Sequence, residues 1–234
     1  MTKIKTIPIE WFGNKPLYES SKIRIVTVGL NPSGKEFRNN NEEQFRTDLR
    51  FPDYKGNDTL NTAYNNYFEN NPYSWFKSFE CILNGLDASY YSEKGMPNRV
   101  LHTDICSPWA TDPTWSKLSN QEKKNLMENE HGFEQWKQLI RQLKPDIILF
   151  SIPNKYIEKL GLEKELCQFD KITITENGED RTKPVVIQQG VYGESLAIFG
   201  RTWNVPFGAL GKNQKKDLGL KIKKLIEQNH IVKK

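Results

Sequence analysis

The sequence predicts an α/β sandwich of three layers with a short central parallel sheet, and three observations carry that expectation. Apolar β-branched runs alternate with segments whose apolar residues recur at helical spacing. The runs lie farther apart than a hairpin turn allows, so neighbouring strands pair in parallel through crossover helices. The first run, Ile23-Arg-Ile-Val-Thr-Val28, is nearly continuous, as a strand covered on both faces would be.

That strand ends at Gly29. Trp75, Phe76, Phe79, Ile82, Leu83 and Leu86 then mark a core-facing helix, with Asn71-Pro72 as its cap and first-turn proline. Arg99 to Ile105 reads as the second strand, and Ser107-Pro-Trp109 breaks it into a loop. A helical stretch follows from Asn120 to Leu143, with Phe133, Trp136, Ile140 and Leu143 on one stripe and Pro145 beyond its end. Asp146 to Ser151 is the third strand. Lys171 to Gln188 has the pattern of a hairpin or edge insertion around Asn177-Gly178, and Ser195 to Phe199 of a further strand. Leu218, Ile222, Leu225 and Ile226 put one apolar stripe on a basic terminal helix over 214–229. The stretch 35–71 is polar and asparagine-rich without clear periodicity. It reads as a long ordered loop, or one with partial disorder, within a single domain over 1–234.

Composition narrows the function classes. The 234 residues are 36% hydrophobic and 27% charged, enough for a real core, and no apolar run approaches the ~20 residues of a membrane span. The first ten residues lack a secretory apolar region, so the cytoplasm is expected, without membrane attachment. Cys81, Cys106 and Cys167 are widely spaced, and His102, His131 and His230 lack metal-ligand spacing, so neither a metal nor another cofactor is expected. The net charge of +5 is uneven. Eight lysines between Gly211 and Lys234 oppose only Asp217 and Glu227, which makes this segment +6. It can meet phosphates, or simply be a solvated helix face.

In a parallel sheet, chemistry gathers at the carboxyl ends of the strands. The loop after the first strand, Gly29-Leu-Asn-Pro-Ser-Gly-Lys35, has the G-x-x-x-x-G-K spacing of a phosphate-binding loop, which opens a nucleotide-hydrolase reading. Against it, Glu36 stands where a hydroxyl should bind magnesium, and Pro32 removes a backbone donor.

The same loop, read as Gly29-Leu-Asn-Pro-Ser33, resembles the first signature of the uracil-DNA glycosylase superfamily. Val100-Leu-His-Thr-Asp-Ile-Cys-Ser-Pro108 is similar to the second core strand of its single-strand-selective members. The resemblance implies a uracil-DNA glycosylase-like fold and hydrolysis of a base–sugar bond in single- or double-stranded DNA by a monomer that flips the base into a pocket. It implies that Asn31 holds the attacking water, a role in which an amide cannot be a strong base. Phe51 or Phe37 would stack on the base. Asp104 stands where uracil readers carry Asn; an ionised Asp only accepts, which favours a cytosine-like or modified base bearing an exocyclic amine. His102 shares the strand face of Asp104.

The late signature loop maps onto Trp203 to Asn213. Asn204 or a backbone amide near Gly208 would contact the departing base, Phe207 or Leu210 would enter the base stack, and Lys212, Lys215 and Lys216 would meet phosphates, as would the backbone donors of Ser33 and Gly34. Plainer readings stand beside these: an Asn-Pro turn, phenylalanines in a core, and an Asp that caps a loop. The absence of histidine from the late loop and the amide at Asn31 also permit a domain that binds nucleic acid without cleaving it.

Overall fold

Ahead of the first strand lies a short helix, α1 (Lys15–Glu19), and the chain then enters β1 (Ile25–Gly29), whose five residues are all buried. Residues 7–38, 44–70, 72–160, 170–174, 185–200, 202 and 205–229 are described in this computed structural model. The elements that follow are α2 (Leu60–Asn65), α3 (Lys77–Gly85), β2 (Ala88–Ser89), β3 (Asn98–Asp104), α4 (Asn120–Lys124), α5 (Gly132–Leu143), β4 (Ile147–Phe150) and α6 (Asn154–Ile157). The chain closes with β5 (Asp170–Ile174), β6 (Val185–Tyr192), β7 (Ser195–Phe199) and α7 (Lys212–Asn229).

The architecture is mixed α/β around a central seven-stranded sheet of order β2-β3-β1-β4-β7-β6-β5. β2 and β3 are parallel, as are β4 and β7, whereas β6 runs antiparallel to both β7 and β5. The central sheet is thus mixed where a parallel one was expected, while the antiparallel β5–β6 pair falls in the segment read as a hairpin or edge insertion. The cause is local: Tyr192 pairs with Ser195 across a two-residue turn whose Gly193 has φ 59°, a conformation that glycine adopts without penalty.

Two further expectations change. The stretch 120–143 is not one helix. α4 passes through a wider turn at Asn125–Asn129, and the path breaks at His131, with φ 56°. α5 then restarts at Gly132, where a Cβ would lie 2.3 Å from the Cys106 carbonyl oxygen. Within 35–71, short helical turns and α2 gather Phe37, Phe51, Tyr64, Tyr67 and Phe68 into a core. The helix expected from Asn71 begins with a 3₁₀ turn at Ser74–Phe76, and Asn71 itself lies outside the described residues.

The chain divides into two compact units interleaved in sequence. Met1–Pro16, Val28–Tyr73 and Leu101–Leu143 form the first; Leu17–Thr27, Ser74–Val100 and Lys144–Lys234 form the second. In the first, Phe12 and His102 exchange backbone hydrogen bonds of 2.9 and 3.0 Å, and the Trp136 indole donates to Thr103 Oγ1 at 3.0 Å, seating α5 against β3. In the second, Leu218, Ile222 and Ile226 bury the apolar stripe of α7, with α3 as its main partner. Each such burial contributes roughly 1.5–3 kcal/mol.

Candidate active site at the strand ends of the first unit

The ends of β1 and β3 are held side by side beyond the strands themselves: the Ile105 N–H donates to the Gly29 carbonyl at 3.1 Å and the Cys106 N–H to that of Leu30 at 2.9 Å. Asp104 and His102, two residues apart, therefore face the end of β1 together. His102 Nε2 lies 3.6 Å from Asp104 Oδ1, and both residues are buried. A Cβ on Gly29 would come within 2.7 Å of that carboxylate oxygen and 3.1 Å of the imidazole nitrogen. Only glycine lets this pair close over the strand end.

Two residues further on, Asn31 has its amide nitrogen pinned. Nδ2 donates to the Pro32 carbonyl at 2.8 Å and to Thr111 Oγ1 at 2.9 Å, with the Trp109 carbonyl at 3.5 Å. Carbonyl oxygens only accept, so the nitrogen must face them and Oδ1 must turn the other way. Among the described residues no donor reaches Oδ1. The half-buried side chain thus presents an oriented acceptor.

The turn that carries Asn31 consumes its own amides. The N–H groups of Ser33, Gly34, Lys35 and Glu36 donate to Glu36 Oε1, the Thr111 carbonyl, Ser33 Oγ and the Ser33 carbonyl, at 3.4, 2.9, 3.3 and 3.0 Å. The spacing that suggests a phosphate loop is here a capped 3₁₀ turn, and the Ser33 and Gly34 donors proposed for DNA phosphates face the protein.

Glu36, which the sequence presents only as an obstacle to magnesium in a phosphate loop, is part of this site. It is buried, and its Oε2 accepts from the Tyr67 hydroxyl at 2.9 Å. Burial pushes its carboxyl up to about 7; the Tyr67 bond opposes the shift, the Asp104 charge adds to it, and the Ser33 N–H and Arg50 oppose it. The signal was present as the Ser33-x-x-Glu36 spacing of a capping box.

Phe37 and Phe51 are both fully buried and stack with ring centroids 6.2 Å apart. Phe51 continues onto Phe12 at 6.2 Å, and Phe12 onto His102 at 5.7 Å, so a ladder of rings runs from the turn to the His102–Asp104 pair. A cavity of about 160 Å³ lies on the α5 side, lined by Asp104 together with Glu10, Pro108, Gly132, Gln135 and Gln138 among others. Asn31, Phe37 and Phe51 do not line it.

The late loop belongs to the second unit. Asn204 and Trp203 lie outside the described residues. Phe207, offered by the sequence as a DNA wedge, is buried with φ 50°; its ring occupies the space a Cβ on Gly200 would need, its N–H donates to Ser151 Oγ at 3.0 Å, and Phe79 packs on it at 6.0 Å. Leu210 is also buried. Lys215, expected to meet phosphate, instead buries its ammonium, which donates to the Pro206 carbonyl at 2.8 Å and to Ser78 Oγ; burial lowers its pKa. Lys212 and Lys216 are exposed.

Among the described residues no group of His, Cys, Asp and Glu is arranged to hold a metal ion, and no helix is long and apolar enough to cross a membrane. No protein-family profile and no curated protein sequence matches this chain.

Proposed function

We propose that this chain is a DNA glycosylase of the uracil-DNA glycosylase type, hydrolysing the bond between deoxyribose and a cytosine-like or modified base turned out of the DNA. The observation that carries the reading is the Asn31 amide in the turn after β1, anchored through its nitrogen so that Oδ1 turns away from those anchors; the buried Asp104 carboxylate faces Gly29 at the end of the same strand. Oδ1 accepts a hydrogen bond from a water and orients its oxygen toward C1′. The C1′–N bond breaks with its electron pair on the base, the water oxygen bonds C1′, and one water proton ends on the departing base. Because an amide is a negligible base, the rate depends on stabilising the departing base and the growing positive charge on the sugar.

Asp104 would accept from an exocyclic amine. Burying a carboxylate is costly unless it gains such donors, so a base bearing an amine is favoured over one bearing a carbonyl there. Exposed Lys212 and Lys216 offer the DNA backbone two cations. The test is a set of oligonucleotides with uracil, cytosine and altered cytosines, scored for alkali-labile sites. Release of an amine-bearing base, lost in Asn31→Ala and shifted toward uracil in Asp104→Asn, is expected. Fast uracil release with none from amine-bearing bases would refute the assignment of Asp104. The amide at position 31 also favours a second reading, binding without turnover, for which retained DNA affinity with no abasic product on any substrate is the sign.

A further inference from the structure

We infer that Glu36 is a positioning residue for Asn31, and that gain or loss of one proton at its carboxyl moves the turn carrying the Asn31 amide. For its consequence in base release the inference rests on the glycosylase reading; the coupling itself does not.

Both oxygens of Glu36 are engaged, one by the Ser33 N–H at 3.4 Å and the other by the Tyr67 hydroxyl at 2.9 Å. The Tyr67 oxygen in turn accepts the Tyr73 N–H at 3.2 Å, which ties Glu36 to the segment after α2. As a carboxylate, Glu36 serves both donors. Once protonated, the oxygen that carries the proton is a poor acceptor, so one donor loses its partner. The Ser33 contact is already the longer of the two and is the one to yield.

From Ser33 the displacement has a short path to Asn31. The Gly34 N–H donates to the Thr111 carbonyl at 2.9 Å, and the Thr111 N–H to the Pro32 carbonyl at 3.3 Å. Pro32 O and Thr111 Oγ1 are the two nearest anchors of the Asn31 amide nitrogen. A shift of the capped turn therefore reaches both anchors within one or two residues. The charged and titratable groups facing Glu36 are Tyr67, Asp104 at the end of β3, and Arg50 after the Thr47–Leu49 turn, with His102 beyond Asp104. Burial among them brings the proton exchange to about 7, where small changes of pH alter its occupancy.

The experiment follows the side-chain amide signal of Asn31 by ¹H–¹⁵N NMR between about pH 5.5 and 8.5, a window set on either side of that value. The signal is assigned by its loss in Asn31→Ala. It should move with a midpoint near neutrality in the wild type and stay still in Glu36→Gln. In Tyr67→Phe, which removes a hydrogen bond that favours the carboxylate, the midpoint should rise. A signal that ignores pH in the wild type, or titrates unchanged in Glu36→Gln, overturns the inference. Should Glu36→Gln not fold, Tyr67→Phe decides: a raised midpoint supports the coupling and an unmoved one refutes it. Base release on the same samples separates the two ideas. A wild type that releases nothing sinks the glycosylase reading while the amide signal still judges Glu36, and release with a pH-blind amide does the reverse.

Discussion

The turn at 30–37 in the first unit and the loop at 205–211 in the second are alike on paper: each follows a strand, contains a proline and a glycine, and is followed by a basic residue, Arg38 or Lys212. They are held by different means. The first is framed by hydrogen bonds from Thr111, Tyr67 and its own amides, and the frame turns the Asn31 amide oxygen away from the anchors of its nitrogen. The second is centred on a buried ring, with Phe207 plugged over Gly200 and Ser78, Ser151 and Lys215 making polar contacts to its backbone. A polar frame fixes the direction of a group, as water orientation requires. A packed ring fixes position but presents nothing to a ligand.

The largest effect tests the second half of that contrast. Phe207→Ala should lower unfolding free energy by about 3–5 kcal/mol, as for other fully buried aromatic residues, read from urea denaturation. A loss below about 1 kcal/mol would mean that the ring is not the plug. Next comes the pH dependence of the polar frame. Because the folded protein raises the Glu36 carboxyl from 4.5 to about 7, the folded state holds this proton more tightly than the unfolded chain. The stability this contributes is complete below about 4.5, declines as pH rises toward 7 and is gone above it, a change on the order of 3 kcal/mol. Glu36→Gln should flatten that decline, and a wild-type-minus-variant difference that is constant with pH would contradict it.

Asn31→Ala sharpens the first half. Base release should fall ~10²-fold, the scale for removing one oriented polar group from a reaction centre, while the thermal midpoint barely moves. A large drop in stability with activity retained in the residual folded fraction would make Asn31 a turn residue only. The smallest effect concerns exposed charge. Lys212→Ala and Lys216→Ala should each reduce the slope of log affinity for DNA against log salt by about 1 and leave folding unchanged; no change in slope removes them from the interface.

Much of the sheet is legible along the chain because β1, β4 and β7 are buried throughout and so read as unbroken apolar runs. That Asn31 and Asp104 both stand at strand ends follows from β1 and β3 being neighbours whose ends are paired. What escapes is set by contacts between distant residues. The break before α5 depends on Gly132 meeting Cys106, and the aromatic core within 35–71 on rings contributed by Phe12 and His102. Glu36 is hidden for the same reason: its spacing announces a cap, but its burial and its altered acidity come from Tyr67 and Asp104.

By itself the sequence determined the buried strands β1, β3, β4 and β7, the helices α3 and α7, and which polar residues stand at strand ends, since hydrophobic period and turn chemistry are local properties. Only the tertiary structure decided which of those residues keep a free direction. Phe207, Leu210 and Lys215 went inside, Ser33 and Gly34 gave their donors to the protein, and Glu36 entered the site. The reason is that hydrogen-bond capacity and solvent access are shared among residues far apart in the chain, and their allocation exists only once the chain has folded.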